Sequence, residues 1–175
     1  MEKSVTRKQV SDIDWQTWEP EERATLMFVV QAGRILLIRK KRGLGAGNIN
    51  GPGGRIEPGE TPLACAIRET QEELLITPTG IREGGELFFH AEDFPRIHAH
   101  VFVASGYEGT PTETEEADPL WFPVNGIPYE EMWADDQYWL PGVLSGSRVR
   151  GWFTFTGVSV VDYHIKLVPS ADAVT

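Results

Sequence analysis

The chain has few of the residues that support disulfide bonds, membrane insertion or export. Cys65 is the only cysteine among 175 residues, so no intrachain disulfide can form, and a reducing, cytoplasmic location is expected. No run of about 18 apolar residues is present, so neither a membrane-spanning helix nor a membrane partner is expected. Residues 1–20 carry charges without an apolar core, which argues against a signal peptide.

Positive charge is also scarce. The sequence has 16 Lys and Arg against 26 Asp and Glu, a formal net charge of −10, which argues against binding of a nucleic-acid polymer. An anionic substrate would therefore need a bound metal ion as its local source of positive charge. The one basic run, residues 39–42, is either a solvated strand end or a contact for phosphate or base, and we favour the contact.

The pattern of apolar residues and turn residues predicts one domain with mixed secondary structure. Strands are expected at residues 24–31, 35–39, 85–91, 97–104 and 119–124, and a hairpin at 150–156 and 158–167. Helices are expected after Thr61 and within residues 137–144. This arrangement favours an α/β/α sandwich around a mixed sheet. Residues 1–20 are interpreted as an extension, 21–168 as the domain and 169–175 as a tail, and we expect a monomer.

An acidic helix and the glycine-rich turn before it, residues 54–76, dominate the sequence. Thr61 suits the helix N-cap and Pro62 the first helical position. The apolar residues recur at helical spacing and predict one buried stripe: Leu63, Ala66, Ile67, Thr70 and Leu74. The glycine-rich residues 43–54 contain neither a P-loop nor a dinucleotide-binding motif.

Three carboxylates share one face of this helix. Glu69, Glu72 and Glu73 stand at positions i, i+3 and i+4, where like charges repel one another. Such a face is commonly just solvated. Here, however, Glu60 in the preceding turn can form a bidentate contact with Arg68, the only base on the helix, and so fix the turn against it. A cluster of hard oxygen atoms suits Mg²⁺ or Mn²⁺ and not zinc.

The same residues resemble a known motif. Gly54, Glu60 and the run Arg68-Glu69-Thr70-Gln71-Glu72-Glu73-Leu74-Leu75-Ile76 are similar to the Nudix box, G-x5-E-x7-R-E-U-x-E-E-x-G-U, where U is aliphatic. All the charged positions match. Thr70 occupies an aliphatic position, and Leu75 stands where the family has the glycine that ends the helix in a left-handed conformation.

Outside the box, the chain resembles the branch of this family that hydrolyses oxidised purine nucleoside triphosphates. The segment Trp133-Ala134-Asp135-Asp136 carries most of that resemblance. It implies a Mg²⁺ site, in which Mn²⁺ is an alternative, made by Gly53, Gly54, Glu69, Glu72, Glu73 and Glu116. The four glutamates are also the implied catalytic residues, with Glu73 the expected general base and Glu116 the alternative. The implied base pocket consists of Thr25, Lys40, Asn50, Phe89, Trp133, Asp135, Asp136 and Phe155. Leu44 and Ile97 depart from that branch at the pocket wall.

The residue chemistry is consistent with such a pocket and leaves alternatives open. Trp133 can stack on a purine or can be a core residue. Asp135 and Asp136 can cap a helix, or, if buried together, repulsion should raise one pKa so that the pair can both donate and accept hydrogen bonds. Asn50 can read another edge of the base.

The other candidate ligands and functions are weaker. The four histidines, His90, His98, His100 and His164, show no ligand spacing and are interpreted as strand residues. The expected reaction is metal-dependent hydrolysis of a triphosphate such as 8-oxo-dGTP or 2-oxo-dATP to a nucleoside monophosphate and pyrophosphate, which would cleanse the nucleotide pool. The alternatives are another nucleoside diphosphate-linked or N-modified purine substrate, and a Nudix-like binding module without turnover.

Overall fold

A computed structural model describes residues 7–169, and in this part of the chain the fold is built on one mixed sheet of nine strands. The strands are β1 (Glu22–Gln31), β2 (Arg34–Lys40), β3 (Ile49–Asn50), β4 (Gly53–Arg55), β5 (Ile76–Ala91), β6 (Ile97–Gly109), β7 (Ala117–Pro123), β8 (Ser147–Thr156) and β9 (Ser159–Pro169). The helices are α1 (Pro62–Leu74) and α2 (Asp136–Leu144), with 3₁₀ turns at Val10–Asp12 and Tyr129–Glu131.

The central sheet runs in the order β3-β2-β1-β6-β5-β8-β9, with β4 added to β1 and β7 added to β2. The β1–β6 and β5–β8 pairs are parallel and the other pairs are antiparallel. Because β1 pairs with β2, β4 and β6, the glycine-rich segment that precedes α1 lies directly beside the middle of the sheet.

The two helices lie on opposite faces of the sheet. Side chains alternate along β1, so Met27 and Val29 pack in the cluster that contains Ala66 and Leu74 of α1. Phe28 points the other way and packs in the cluster that contains Trp139 of α2. The expected α/β/α sandwich is confirmed.

Several element boundaries differ from the sequence prediction. Strand β5 begins at Ile76, not near residue 85, and a bulge between Glu83 and Gly85 interrupts its pairing with β6. No strand was predicted around Pro78, but that residue pairs with Tyr107 of β6 and belongs to β5. In α1, Leu63 is exposed, while Glu73 lies in the buried stripe.

The segment before β1 packs on the sheet. The indole N–H of Trp18 donates to Nδ1 of His90 on β5, and the Trp18 ring meets Phe88 edge-on at 6.0 Å. The expected tail lies outside the described residues except for Pro169, which ends β9. The predicted boundaries of the extension, domain and tail stay predictions. Within residues 7–169, neither helix is long and apolar enough to cross a membrane.

Candidate active site

Helix α1 begins as its sequence predicts. The Thr61 side chain accepts a hydrogen bond from the Ala64 N–H at 3.1 Å, and Pro62 occupies the first helical position. The helix ends at Leu75, which adopts the left-handed conformation with φ 60° and ψ 32°. The leucine therefore holds the backbone shape for which the related motif uses glycine, and its side chain is 58% exposed.

Arg68 organises the start of the site. Its Nε and Nη2 atoms donate to the two carboxylate oxygens of Glu60 at 2.7 and 2.9 Å, which is the expected bidentate contact. Its Nη1 atom also donates to Glu69 at 2.9 Å and contacts Glu72 at 3.3 Å. The hydrogen bond from Arg68 is the main cause that lowers the pKa of Glu60 to about 2. The glycine-rich turn is thus tied to the acidic helix.

Three of the four predicted glutamates come together. Glu69 and Glu73 of α1 and Glu116, which directly precedes β7, each offer an oxygen within 4.8 Å of the other two, and we call them the Glu cluster. The fourth, Glu72, is outside this group and its half-exposed side chain faces Arg68.

Glycine backbone closes over the Glu cluster. The N–H of Gly53 donates to Oε1 of Glu73 at 3.1 Å. A Cβ atom on Gly54 would lie 2.4 Å from the carboxylate carbon of Glu69, closer than real side chains approach. A side chain at position 54 would therefore displace the Glu69 carboxylate from the cluster.

Burial controls the electrostatics of the Glu cluster. Glu73 is only 4% exposed, and this burial raises its pKa to about 8 despite the opposing hydrogen bond from Gly53. The charges of Glu69 and Glu116 add to that rise, and burial also raises the pKa of Glu69. Like-charged oxygen donors held this close fit a hard divalent cation, so Glu69, Glu73 and Glu116 are the residues that would hold it.

A cavity of about 360 Å³ lies beside Glu73. All eight predicted base-pocket residues line it, and so do Gly53, Gly54 and Glu73: Thr25, Lys40, Asn50, Phe89, Trp133, Asp135, Asp136 and Phe155. Leu44 and Ile97 also line its wall. The cavity lining does not include Glu69, Glu72 or Glu116. Glu73 is therefore the member of the Glu cluster that lines the cavity.

Asp135 and Asp136, the Asp pair, lie at the start of α2. Asp135 occupies the N-cap position without capping the helix, because its Oδ2 atom accepts from the indole N–H of Trp139 at 2.8 Å. Both side chains are buried. Burial raises the pKa of Asp135 to about 6 and raises that of Asp136 well above its ordinary range, with the charge of Asp135 adding to the second shift.

Trp133 is a cavity residue, whereas the fully buried core tryptophan is Trp139. Phe94 contacts the Trp133 ring edge-on, with centroids 6.2 Å apart. Gly45, with φ 80°, passes so close that a Cβ there would lie 3.1 Å from the indole. The sequence did not indicate Phe94 as a cavity residue, because it lies in the turn between β5 and β6. The neighbouring Pro95 indicates only that a turn is present.

The basic run is mostly engaged in surface ion pairs. Arg39, Lys41 and Arg42 pair with Glu131, Glu113 and Glu116 respectively. Lys40 alone lines the cavity, and its Nζ donates to the carbonyl of Leu44 at 2.7 Å. The expected contact of this run with a ligand is therefore limited to Lys40.

The sandwich, the braced acidic helix and the adjoining cavity together define a metal-dependent type of hydrolase site. A profile of the NUDIX domain matches residues 20–143, so the chain belongs to the NUDIX family and is a hydrolase of phosphoric anhydrides. Hydrolases of this family typically use divalent metal ions.

Two relatives and one solved structure are similar to most of the chain. The chain is 43% identical over 141 residues to the "Oxidized purine nucleoside triphosphate hydrolase" of Danio rerio, a match that covers 80% of this chain and 90% of the relative. It is 38% identical over 148 residues to the protein of the same name from Mus musculus, covering 83% and 95%. The crystal structure of a mutator MutT protein from Bacillus halodurans superposes with a TM-score of 0.73 at 26% identity, covering 82% of this chain and 97% of that one.

Proposed function

We propose that this protein hydrolyses oxidised purine nucleoside triphosphates, of the 8-oxo-dGTP and 2-oxo-dATP type, to nucleoside monophosphate and pyrophosphate with Mg²⁺. Mn²⁺ is expected to substitute. The likeness to relatives named as oxidised purine nucleoside triphosphate hydrolases supports this substrate class. The proposed setting is the nucleotide pool of the cytoplasm, with the protein acting as a monomer.

One observation carries the proposal. A single cavity is lined at one place by Glu73 of the Glu cluster and at another by the Asp pair and Trp133. A nucleotide whose base meets the Asp pair can therefore present its phosphates to the Glu cluster without leaving the cavity. A binding module without turnover would not require the buried, mutually repelling carboxylates of that cluster.

The base end of the cavity can read a purine by hydrogen bonding. In the proposed complex Asp135 is ionised, because the Trp139 indole stabilises its carboxylate, and Asp136 keeps its proton. The pair then accepts hydrogen bonds from ring N–H or amino groups and donates one to a carbonyl oxygen. Trp133 supplies a flat stacking surface, and the buried amide of Asn50 contacts another edge of the base.

The phosphate end of the cavity carries the chemistry. When bound, the divalent cation supplies positive charge to the phosphates and makes water more acidic. A bound cation would favour the ionised form of Glu73, which would then accept a proton from the attacking water. The water oxygen then bonds to phosphorus as the bridging P–O bond breaks and pyrophosphate leaves. In this proposal Glu69, Glu73 and Glu116 would hold the cation, while Glu72 would balance the charge of Arg68.

Pyrophosphate release measured on a panel of nucleotides with Mg²⁺ tests the function. We expect the highest kcat/KM on 8-oxo-dGTP or 2-oxo-dATP, a much lower value on unmodified dGTP, and nucleoside monophosphate as the second product. Preference for an N-modified purine or a diphosphate-linked nucleoside would replace the proposed substrate. Tight nucleotide binding without any product would identify a binding module.

A further inference from the structure

Two histidines and one glutamate converge on the sheet away from the cavity. Strands β5 and β6 are antiparallel, with Glu86 opposite His100 and Phe88 opposite His98. Because side chains alternate along a strand, His98 and His100 share one face of β6, whereas Ile97 and Ala99 point to the other face and line the cavity. The histidine cluster, Glu86, His98 and His100, therefore lies behind the cavity wall.

The distances within the histidine cluster suit a small metal ion. Oε1 of Glu86 lies 3.2 Å from Nε2 of His98 and 3.8 Å from Nδ1 of His100, and one ligand atom from each residue lies within 4.8 Å of the other two. Zinc bonds of about 2.0–2.2 Å at tetrahedral angles place neighbouring ligand atoms about 3.3 Å apart. Small side-chain rotations would bring all three atoms to that separation.

Packing holds the imidazoles in place. The His98 ring stacks on Phe88 at 4.6 Å with an interplanar angle of 11°, and Phe88 stacks on Trp152 of β8 at 5.9 Å. The His98, His100 and Glu86 side chains are 13%, 20% and 38% exposed, so the cluster is supported from behind and open to solvent in front. A metal ion could enter without any rearrangement of the sheet.

The charge around the cluster is mixed, so the proposal depends on the ligand geometry. Each imidazole offers one ring nitrogen to the cluster, and a neutral imidazole is the form that binds a metal ion. Glu86 supplies a negative charge. Two exposed arginines oppose a cation, Arg23 of β1 beside His98 and Arg150 of β8 beside Glu86, while Glu83 is paired with Arg148.

We propose that Glu86, His98 and His100 form a second metal site that binds a Zn²⁺-class transition-metal ion, with water at the remaining position. Two imidazoles and one carboxylate suit such ions, whereas the oxygen-only Glu cluster suits Mg²⁺. The two sites are therefore selective for different metals. This proposal does not depend on the identity of the nucleotide substrate.

Co²⁺ titration of the metal-stripped full-length protein in excess Mg²⁺ tests the site, because Mg²⁺ saturates the Glu cluster and Co²⁺ reports its coordination by visible absorption. We expect one Co²⁺ per chain with a four-coordinate spectrum, displaced by Zn²⁺. His98→Gln and His100→Gln should each weaken binding by at least about a hundredfold, since loss of even an outer-shell partner costs 10–100-fold. His90→Gln and His164→Gln are the matched controls and should bind normally.

Glu86→Gln provides a third probe if a histidine variant fails to fold by circular dichroism. It should also weaken Co²⁺ binding. Unchanged uptake in a folded His98→Gln/His100→Gln double variant would overturn the proposal, as would an absence of uptake by the unmodified protein at millimolar Co²⁺. Loss of the four-coordinate spectrum in Glu73→Gln would assign the signal to the Glu cluster and overturn it equally.

Discussion

The Glu cluster and the Asp pair are both acidic, and burial is the first cause of the raised pKa values in both. Their surroundings differ. The Glu cluster lies under glycine backbone and next to Arg68 and Arg42, in a charged and partly open setting. The Asp pair is buried, and the hydrogen-bond donor to Asp135 is an indole N–H.

This difference explains how two groups of carboxylates can contact the same ligand, one through a cation and the other through a proton. Repulsion among three carboxylates, two from α1 and one from the segment before β7, is best relieved by a divalent cation that binds all three. Two adjacent carboxylates in a closed site are more simply relieved by one proton. In the proposed function, the Glu cluster therefore binds the phosphates through a metal ion, and the Asp pair binds the base with the help of one proton.

The largest effect should come from removing the charge at the centre of the Glu cluster. Glu73→Gln should keep the fold, since Gln has the same shape, and lower kcat on every substrate at least about a hundredfold, the usual scale for a general base. Chelation of divalent metal should abolish turnover altogether. Steady-state pyrophosphate release measures both.

The matched control for that change is Glu115→Gln, which removes an exposed carboxylate next to Glu116 and should leave kcat unchanged. Full turnover in EDTA, or nearly normal turnover in Glu73→Gln, would show that the Glu cluster is not the metal and base site.

A selective effect should follow from changing the Asp pair. Asp135→Asn and Asp136→Asn should lower kcat/KM on the oxidised nucleotides by roughly 10–100-fold, the cost of about 1–3 kcal/mol for an unsatisfied buried group. Turnover of unmodified dGTP should fall much less. The two variants should also shift the ratio of 8-oxo-dGTP to 2-oxo-dATP activity, because these bases present different donors and acceptors.

Kinetics of both variants on all three nucleotides separate a binding role from a structural one. Equal losses on every substrate would mean that the pair only supports α2 and that the base is read elsewhere in the cavity.

The Asp pair should also make stability depend on pH. Its folded-state pKa values are raised, so its stabilising contribution is complete below the ordinary Asp value of 3.8 and is lost as pH rises through about 6. We expect this pair to lower the free energy of unfolding by a few kcal/mol between pH 4 and pH 7, since each pKa unit corresponds to about 1.4 kcal/mol. Urea unfolding of Asp136→Asn should show a flatter profile than the unmodified protein.

Glu130→Gln is the control for the pH profile, since it removes an exposed acid from the turn before α2. If the free energy of unfolding of Asp136→Asn varied with pH in the same way as that of the unmodified protein, ionisation of the pair would not destabilise the fold.

The smallest effect is expected at the end of α1, outside both acidic groups. Leu75→Gly should leave turnover unchanged and raise the free energy of unfolding by up to about 1 kcal/mol, because a left-handed leucine is strained and its exposed side chain contributes little. Ala32→Gly, at φ 53° in the β1–β2 turn, is the matched comparison. A large fall in turnover at unchanged stability would place Leu75 in the catalytic site.

The sequence predicted the local features best. The cap at Thr61 and the Glu60–Arg68 contact follow from spacing within one turn and one helix, whereas the left-handed conformation of Leu75 came from the structure. The resemblance supplied the cavity residues on six other elements, including Asn50 and Phe155, which spacing alone could not have connected.

Contacts between distant elements were the part that the sequence could not reveal. The bond from Trp139 to Asp135 replaced the expected cap, and Phe94 reached Trp133 from a turn about 40 residues earlier in the chain. The histidines were interpreted as having no ligand spacing, because the third member of their cluster, Glu86, belongs to the neighbouring strand. Such juxtapositions depend on strand register, which a single sequence specifies only weakly.

The single thiol of the protein, Cys65, should resist oxidation by peroxide. Cys65 lies fully buried on α1, its Sγ contacts Thr25 beside the cavity, and burial raises its pKa to about 11. Peroxide attacks the thiolate, which at neutral pH is then only about one in ten thousand of the molecules. The conditions that create oxidised nucleotides should therefore leave this cavity wall chemically intact.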